Sequence, residues 1–315
     1  MKPRKRVTVI TPVYNEEECL PRYAEEVTRV LLANTDYEFS ILFIDDGSKD
    51  KSWKLIQKIC AANPAFTGLR LSRNFGAHVA LSAGFDVAEG DAVTTLACDL
   101  QDPPETILRF LERWEQGAKI VWGRRNSRKD KPWRVFSSNL FYFMVQRFVL
   151  PRDSKFTTGS FLLVDRAVVR CLRRLREHNR ITFALVAWTG FDQATVDYDR
   201  AQRIAGHSGW TITWMLKSTY DTFLGFSTAP IKLITRLGLG ICALSMLMLC
   251  YLLLSWVIGN PLEGWTSIMA ALTGFSGLQF LVIGVIGEYL QRIYIEALNR
   301  PLYLVSESTE PDVQL

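Results

Sequence analysis

Apolar and polar positions follow two regimes along the 315-residue chain. Up to about residue 125, short apolar runs alternate with stretches whose apolar residues recur every three or four positions. Val7 to Val13, Phe39 to Ile44, Gly68 to Leu71, Ala92 to Ala97 and Lys119 to Trp122 read as strands. Glu16 to Leu32, Ser52 to Ala62, Ala77 to Ala88 and Glu105 to Gln116 read as helices, the last following Pro103-Pro104. This alternation predicts an α/β fold with a mainly parallel sheet covered by helices. Ligands of such folds gather at the carboxyl ends of the strands.

The second regime lies late in the chain. Leu237 to Ile258 and Trp265 to Ile286 are each 22 residues long without one charge. At 1.5 Å of rise per residue, each covers about 33 Å against a hydrocarbon core of about 30 Å. Two buried helices of a soluble core are the alternative, but such helices rarely stay uncharged for so long. The short connector Gly259 to Gly264 predicts an antiparallel transmembrane hairpin. It carries no Lys or Arg, whereas Lys217, Lys232 and Arg236 precede the hairpin and Arg292 and Arg300 follow it. The positive-inside rule then places both ends on the cytoplasmic side. Trp210 to Phe226 spaces Trp210, Trp214, Leu216, Tyr220 and Phe223 near a helical period and predicts an interfacial helix; Trp133 to Leu150 is a second stretch suited to membrane contact. The expected organisation is a cytoplasmic domain over 1–205, an interfacial region over 206–232, two membrane helices within 233–288 and a cytoplasmic tail over 289–315. Glu307 to Leu315 reads as disordered.

Composition narrows the partners. A net charge of +5, from 37 basic and 32 acidic residues, suits phosphates or anionic lipid and gives little reason to expect nucleic acid. The six cysteines form no close pair and read as reduced thiols, and the three histidines are too scattered for a local metal motif. The apolar run after the basic Met1 to Arg6 is too short for a signal core. Pro12-Val13-Tyr14-Asn15-Glu16, after the first strand, contains none of the glycines of a dinucleotide fingerprint, and no P-loop pattern occurs.

Polar clusters stand at the expected strand ends. In Asp45-Asp46-Gly47-Ser48 the carboxylates can accept hydrogen bonds from a base or ribose, or shape a turn before the next helix. In Cys98-Asp99-Leu100-Gln101-Asp102, two carboxylates three positions apart suit a hard divalent cation bridging to a diphosphate. Asp102 is also placed to cap the following helix. Arg73, Arg124, Arg125, Arg128 and Arg134, then Arg200 and Arg203, supply guanidinium groups able to grip phosphate oxygens.

Taken in order, these clusters resemble the inverting family-2 glycosyltransferases of GT-A fold, and most of all the polyisoprenyl-phosphate glycosyltransferases with a C-terminal two-helix membrane anchor. The resemblance runs through Thr11 to Glu16, Asp45 to Ser48, Ser72-Arg73-Asn74-Phe75-Gly76, Asp99 to Pro104 and Phe161 to Arg166. It continues through Arg203 to Ser208, Phe226 to Pro230 and Gly287-Glu288-Tyr289. It implies that Pro12, Tyr14 and Glu16 frame the nucleoside, that Asp45 or Asp46 reads the base, and that Arg73 and Gln101 belong to the nucleotide site. It further implies that Asp99 holds Mg2+ or Mn2+ and the diphosphate, with Asp102 a possible second ligand. Arg124, Arg128, Arg200 and Arg203 would meet the donor and acceptor phosphates.

Two positions depart from the family pattern. Ala97 stands where many relatives have the first Asp of Asp-x-Asp, and Ser160 where many have an acidic residue. The implied reaction transfers a hexose with inversion, from UDP-glucose to undecaprenyl phosphate, at the cytoplasmic face of a bacterial plasma membrane. GDP-mannose, a UDP-amino-arabinose donor and dolichyl phosphate are the alternatives within the class, and a homo-oligomer is left open. A non-catalytic membrane scaffold has only the Ala97 departure in its favour. A processive polysaccharide synthase would need more spans and a Q-x-x-R-W motif, which the chain lacks.

Overall fold

Val7, Val9 and Ile10 are wholly buried in the first strand, β1 (Lys5–Val13), because neighbours cover it on both sides. It pairs in parallel with β2 (Tyr37–Asp45) over nine residue pairs and with β4 (Ala92–Thr95) on its other side. The computed structural model describes residues 4–126, 161–178, 180–201 and 264–310, together with scattered residues between 236 and 258. The chain divides into two units, Met1–Thr222 with Pro301–Leu315, and Phe223–Arg300.

In the first unit β3 (Phe66–Leu71) extends the parallel set beyond β2. On the far side come β5 (Ile120–Arg125), β6 (Leu162–Asp165) and β7 (Gln193–Tyr198); β8 (Val305–Ser308) closes the other edge. The order is β7-β5-β6-β4-β1-β2-β3-β8. β6 runs antiparallel to both β4 and β5, and β8 antiparallel to β3, so the sheet is mixed where a mainly parallel one is expected. β5 and β7 are parallel.

Helices return each parallel strand to the same end of the sheet: α1 (Leu20–Val27), α2 (Ser52–Ala62), α3 (Ala77–Val87) and α4 (Glu105–Glu115). The expected Glu16–Leu32 helix starts four residues late, because Pro21 suits a first turn, and passes into a π-helical turn over Thr28–Leu32. Leu20, Tyr23, Val27 and Leu31 form its buried stripe. α4 buries Thr106, Ile107, Phe110, Leu111 and Trp114 on one face. Phe110 meets Phe161 at 4.7 Å between ring centroids, and Phe161 meets Tyr198 edge-on at 5.4 Å. Two short helices, α5 (Arg166–Leu172) and α6 (Thr182–Trp188), follow β6.

The tail differs from expectation. Residues 305–308 are a strand, with Arg70 opposite Glu307, rather than a disordered end. Its polar sequence suits an edge strand, where side chains at the rim stay near solvent.

In the second unit, α7 (Trp265–Ala297) is a single helix of 33 residues, continuing past the expected end at Ile286. Its Phe275–Ala297 stretch is long and apolar enough to cross a membrane. The described residues between Arg236 and Val257 are also helical. The expected Trp210–Phe226 helix, the Trp133–Leu150 stretch and most of the hairpin connector lie outside the described residues.

α3 crosses β1 at Gly84. A methyl group there would stand 2.4 Å from Ile10 Cγ2, well inside contact distance. Overpacking of this kind costs about 1–3 kcal/mol, more than the roughly 0.5–1 kcal/mol that Ala gains over Gly in a helix. Gly84→Ala is therefore expected to lower the thermal unfolding midpoint. An unchanged or raised midpoint contradicts this packing.

Candidate functional site

β1, β2, β3 and β4 run in parallel, and the reversed β6 restores the same direction to β5 and β7. All six of these strands therefore end on one edge of the sheet. The loops after them carry Tyr14 to Glu16, Asp46 to Ser48, Ser72 to Gly76, Leu96 to Asp102, Asn126 and Asp199 to Ala201. Pairing alone thus gathers most of the polar clusters at one rim.

The loops after β1 and β2 are laced together. Asn15 N–H donates to Ser48 Oγ at 3.0 Å, Lys49 N–H to Asn15 Oδ1 at 2.9 Å, and Glu16 N–H to Ser52 Oγ at 2.9 Å. Asn15 takes a positive φ of 54°, which its short amide side chain tolerates. Tyr14 is left 42 % exposed above this lattice. Pro12 is half-buried beneath it.

Asp45 and Asp46 are both buried. Asp46 accepts the N–H groups of Phe75 at 2.7 Å and Gly76 at 2.9 Å, which clamps the loop entering α3. Asp45 accepts Ser48 N–H at 3.2 Å and lies 3.2 Å from Arg70 Nε, an ion-pair distance without hydrogen-bond alignment at Oδ2. Burial raises the pKa of both carboxyls; the hydrogen bonds around Ser48 and then Arg70 oppose it at Asp45, and the two backbone N–H groups at Asp46. Gly47 sits at φ +68°, and a Cβ there would stand 2.4 Å from the Arg73 carbonyl carbon. Only glycine lets these two loops approach so closely. Arg73 itself is exposed, its guanidinium 4.0 Å over the Phe75 ring.

The loop after β4 turns sharply at Leu100, with φ 51°. Asp99 Oδ1 accepts Gln101 N–H at 3.2 Å across that turn. Asp102 is not the expected cap: Pro104 holds the N-cap position of α4, which no side chain caps. Its Oδ1 instead accepts the Tyr198 hydroxyl at 2.6 Å, with Arg200 Nε at 4.0 Å. Arg125 Nε donates to the same hydroxyl at 3.2 Å, and Ala201 N–H binds the Gln101 carbonyl at 2.9 Å. Burial and the Asp102 carboxylate push the Tyr198 phenol up, so it remains a donor.

The two halves meet around two buried thiols. Burial, a hydrogen bond to Glu16 and the charges of Glu16 and Asp99 push Cys19 up to about 11. Burial and the same two carboxylates raise Cys98. Both cysteines are protonated packing groups, and Glu16 and Asp99 lie near both.

Arg124 is exposed, with its fork on Asp197 at 2.5 and 2.9 Å. Arg128, Arg134, Ser160 and Arg203 lie outside the described residues. Tyr198, Asn15, Ser48 and Ser52 were missed as supports; only their hydrogen-bonding side chains hint at the role, since their partners are distant in sequence.

Among the described residues no three His, Cys, Asp or Glu side chains form a metal cluster. The donor set does fit a cation held by one carboxylate and completed by phosphate oxygens and water. Asp99 is suited to that, whereas Asp102 is committed to Tyr198.

Asp46→Asn replaces one of the two acceptor oxygens by an amide donor, which then faces one of the two backbone N–H groups. Loss of a charge-assisted bond costs roughly 1.5–3 kcal/mol, so the unfolding midpoint should fall. Tyr14→Ala, at an exposed position, should move stability by no more than about 0.5 kcal/mol. Equal midpoints for the two variants in a thermal melt contradict the structural role of Asp46.

Residues 8–173 match the family described as glycosyl transferase family 2. An uncharacterized glycosyltransferase of Synechocystis is 37% identical over 96% of this chain and 95% of its own. The SfII prophage-derived bactoprenol glucosyl transferase of Shigella flexneri is 36% identical over 96% of this chain and 98% of its own. Among solved structures, a mannosyltransferase from Pyrobaculum calidifontis in complex with GDP-Man and Mn2+ is 14% identical, covers 92% of this chain and 88% of its own, and has a TM-score of 0.45. The chain belongs to glycosyl transferase family 2, and is a glycosyltransferase whose mixed α/β sheet is that of the GT-A fold.

Proposed function

We propose that this glycosyltransferase transfers a hexose, glucose from UDP-glucose, to undecaprenyl phosphate with inversion at the anomeric carbon. The observation that carries this reading is the similarity, over nearly the whole chain, to a bactoprenol glucosyl transferase. The apolar Phe275–Ala297 stretch supports membrane association, as a lipid acceptor requires. The Lys and Arg flanking the apolar segments are the support for a cytoplasmic catalytic unit.

On this reading the nucleoside stacks on exposed Tyr14 and lies against the Pro12–Glu16 loop, which Ser48 and Ser52 hold in place. Asp45 and Asp46 act mainly by shaping that pocket, since both are already engaged. Arg73 and Gln101 stand at its rim. A divalent cation, Mg2+ or Mn2+, held by Asp99 would offset the charge of the departing diphosphate. Asp102 is better read as the anchor that sets Tyr198 and Arg200 than as a metal ligand.

The acceptor needs no protein base. A phosphate monoester has its second pKa at about 6 and is largely dianionic at neutral pH. One of its oxygens can form the bond to the anomeric carbon while the bond from that carbon to the diphosphate oxygen breaks, and no proton is transferred. The protein's part is to hold the two anions in line and offset their repulsion. Arg200, 4.0 Å from Asp102, would take this part, and Arg128 and Arg203 are further candidates from the sequence. Arg124 can join only by releasing Asp197. A serine at position 160 is compatible with such chemistry.

The test uses the full chain in detergent with undecaprenyl phosphate and a panel of radiolabelled nucleotide sugars. Label from UDP-glucose is expected in the lipid fraction, and chelator should abolish it. Asp99→Asn should lower the rate by about 100-fold or more with an unchanged unfolding midpoint. Transfer to lipid from another donor alone would replace glucose in the reading. No lipid product from any donor, or full activity in excess chelator, would sink the acceptor or the metal respectively.

A further inference from the structure

Arg70 on β3 is a three-way node. Its Nε lies 3.2 Å from buried Asp45 Oδ2, and its Nη2 donates to the Ser48 carbonyl at 3.2 Å. Its Nη1 donates to Glu307 Oε1 at 2.6 Å. Two of these contacts fall in the Asp45–Ser48 loop at the candidate nucleotide pocket. The third comes from the C-terminal strand, 237 residues away in sequence.

The strand is built to deliver that carboxylate. Glu307 stands opposite Arg70 in the β3–β8 register, and Ser306 Oγ donates to the Arg70 carbonyl at 3.3 Å. Trp53 Nε1 on α2 donates to the other Glu307 oxygen at 2.8 Å, which fixes the plane of the carboxylate. The Arg70 guanidinium also lies 5.9 Å over the Trp53 ring. Gln57 Nε2 donates to the same oxygen as Trp53 at 3.5 Å, so α2 holds Glu307 from one side, and Glu307 in turn fixes the direction of the Arg70 fork.

The consequence reaches Asp45. Among the described residues its Oδ2 is buried with no aligned hydrogen bond, and Arg70 is the cation beside it. A guanidinium on a flexible stem holds that position only if its outer nitrogens are tethered. Without Glu307 the fork keeps the Ser48 carbonyl and the Trp53 ring but loses its charged partner, so it can turn from Asp45 and leave that buried carboxylate less compensated, a state that favours rearrangement of the loop. The Asn15–Ser48 bond would move with it, and so would the seat of Tyr14.

We propose that Glu307 is a positioning residue for nucleotide-sugar binding: through Arg70 it fixes the Asp45–Ser48 loop, so the C-terminal strand forms part of the donor pocket's support. The inference rests on the nucleotide-sugar reading given above. It also gives the polar tail a task in the enzyme, since the chain that follows the apolar helix completes the sheet beside the donor loop.

The experiment compares the full-length enzyme with Glu307→Gln and with Thr309→Val. Thr309 Oγ1 accepts Gly68 N–H at 2.8 Å, so the latter variant weakens the same tail without touching Arg70. UDP and GDP are titrated by calorimetry, and donor KM, acceptor KM and kcat are measured with the donor that is active. Glu307→Gln should weaken nucleotide binding and raise donor KM by about tenfold, the scale of one weakened charge-assisted bond. Its kcat and acceptor KM should hold within about twofold. Thr309→Val should lower the unfolding midpoint and leave donor KM unchanged. Unchanged nucleotide binding in Glu307→Gln, or an equal donor effect from Thr309→Val, overturns the inference alone. No binding of either nucleotide by the unmodified enzyme overturns the pocket reading and the inference together.

Discussion

The parallel pairing of β1 with β2 and β4 is the constraint on which the rest depends. Parallel neighbours require a crossover, so β1, β2, β3 and β4 are each followed by a helix that brings the chain back, and these four strands end at the same rim. Burial on both faces explains why Val7 to Val13 and Phe39 to Ile44 are nearly continuous apolar runs. It also explains why polar residues appear abruptly after them.

The acidic residues at that rim work largely by holding other parts of the protein. Burying Asp45 and Asp46 side by side is costly unless each is compensated. Two backbone N–H groups do this for Asp46, and Ser48 N–H with Arg70 does it for Asp45. The result is a set of loops drawn together, with Gly47 tight against the Arg73 backbone and Tyr14 left open. Asp102 follows the same logic with Tyr198 and Arg200. Asp99 Oδ1 accepts the Gln101 N–H across the turn at Leu100, which fixes where its carboxylate stands at the rim.

Much of the sheet was legible in the sequence because burial on both faces leaves an unambiguous apolar signature. The bounds of α2 match the periodicity at both ends, and α4 starts where Pro103-Pro104 predicts. The short antiparallel strands left no such mark. Leu162–Asp165 is four residues long, Gln193–Tyr198 alternates imperfectly, and Val305–Ser308 reads as polar tail. Their identity depends on partners far away in sequence, as do the site's contacts. Tyr198 meets Asp102 across 96 positions and Arg124 meets Asp197 across 73. Residue type could nominate Asp99, Asp102 and Arg200 as a group, but not reveal that Asp102 would serve a tyrosine rather than the helix after it.

In the proposed reaction a phosphate nucleophile would remove the need for a catalytic base, and the chemistry would rest on anion placement around the Asp99 and Arg200 loops. Direct attack by that phosphate in one step, as proposed, would fix the stereochemistry: an α-linked nucleotide sugar would yield a β-linked lipid product. The anomeric configuration of the purified lipid-linked sugar, read by NMR, tests this most directly. A β anomer is the expected result, and an α-linked product would contradict a single in-line displacement.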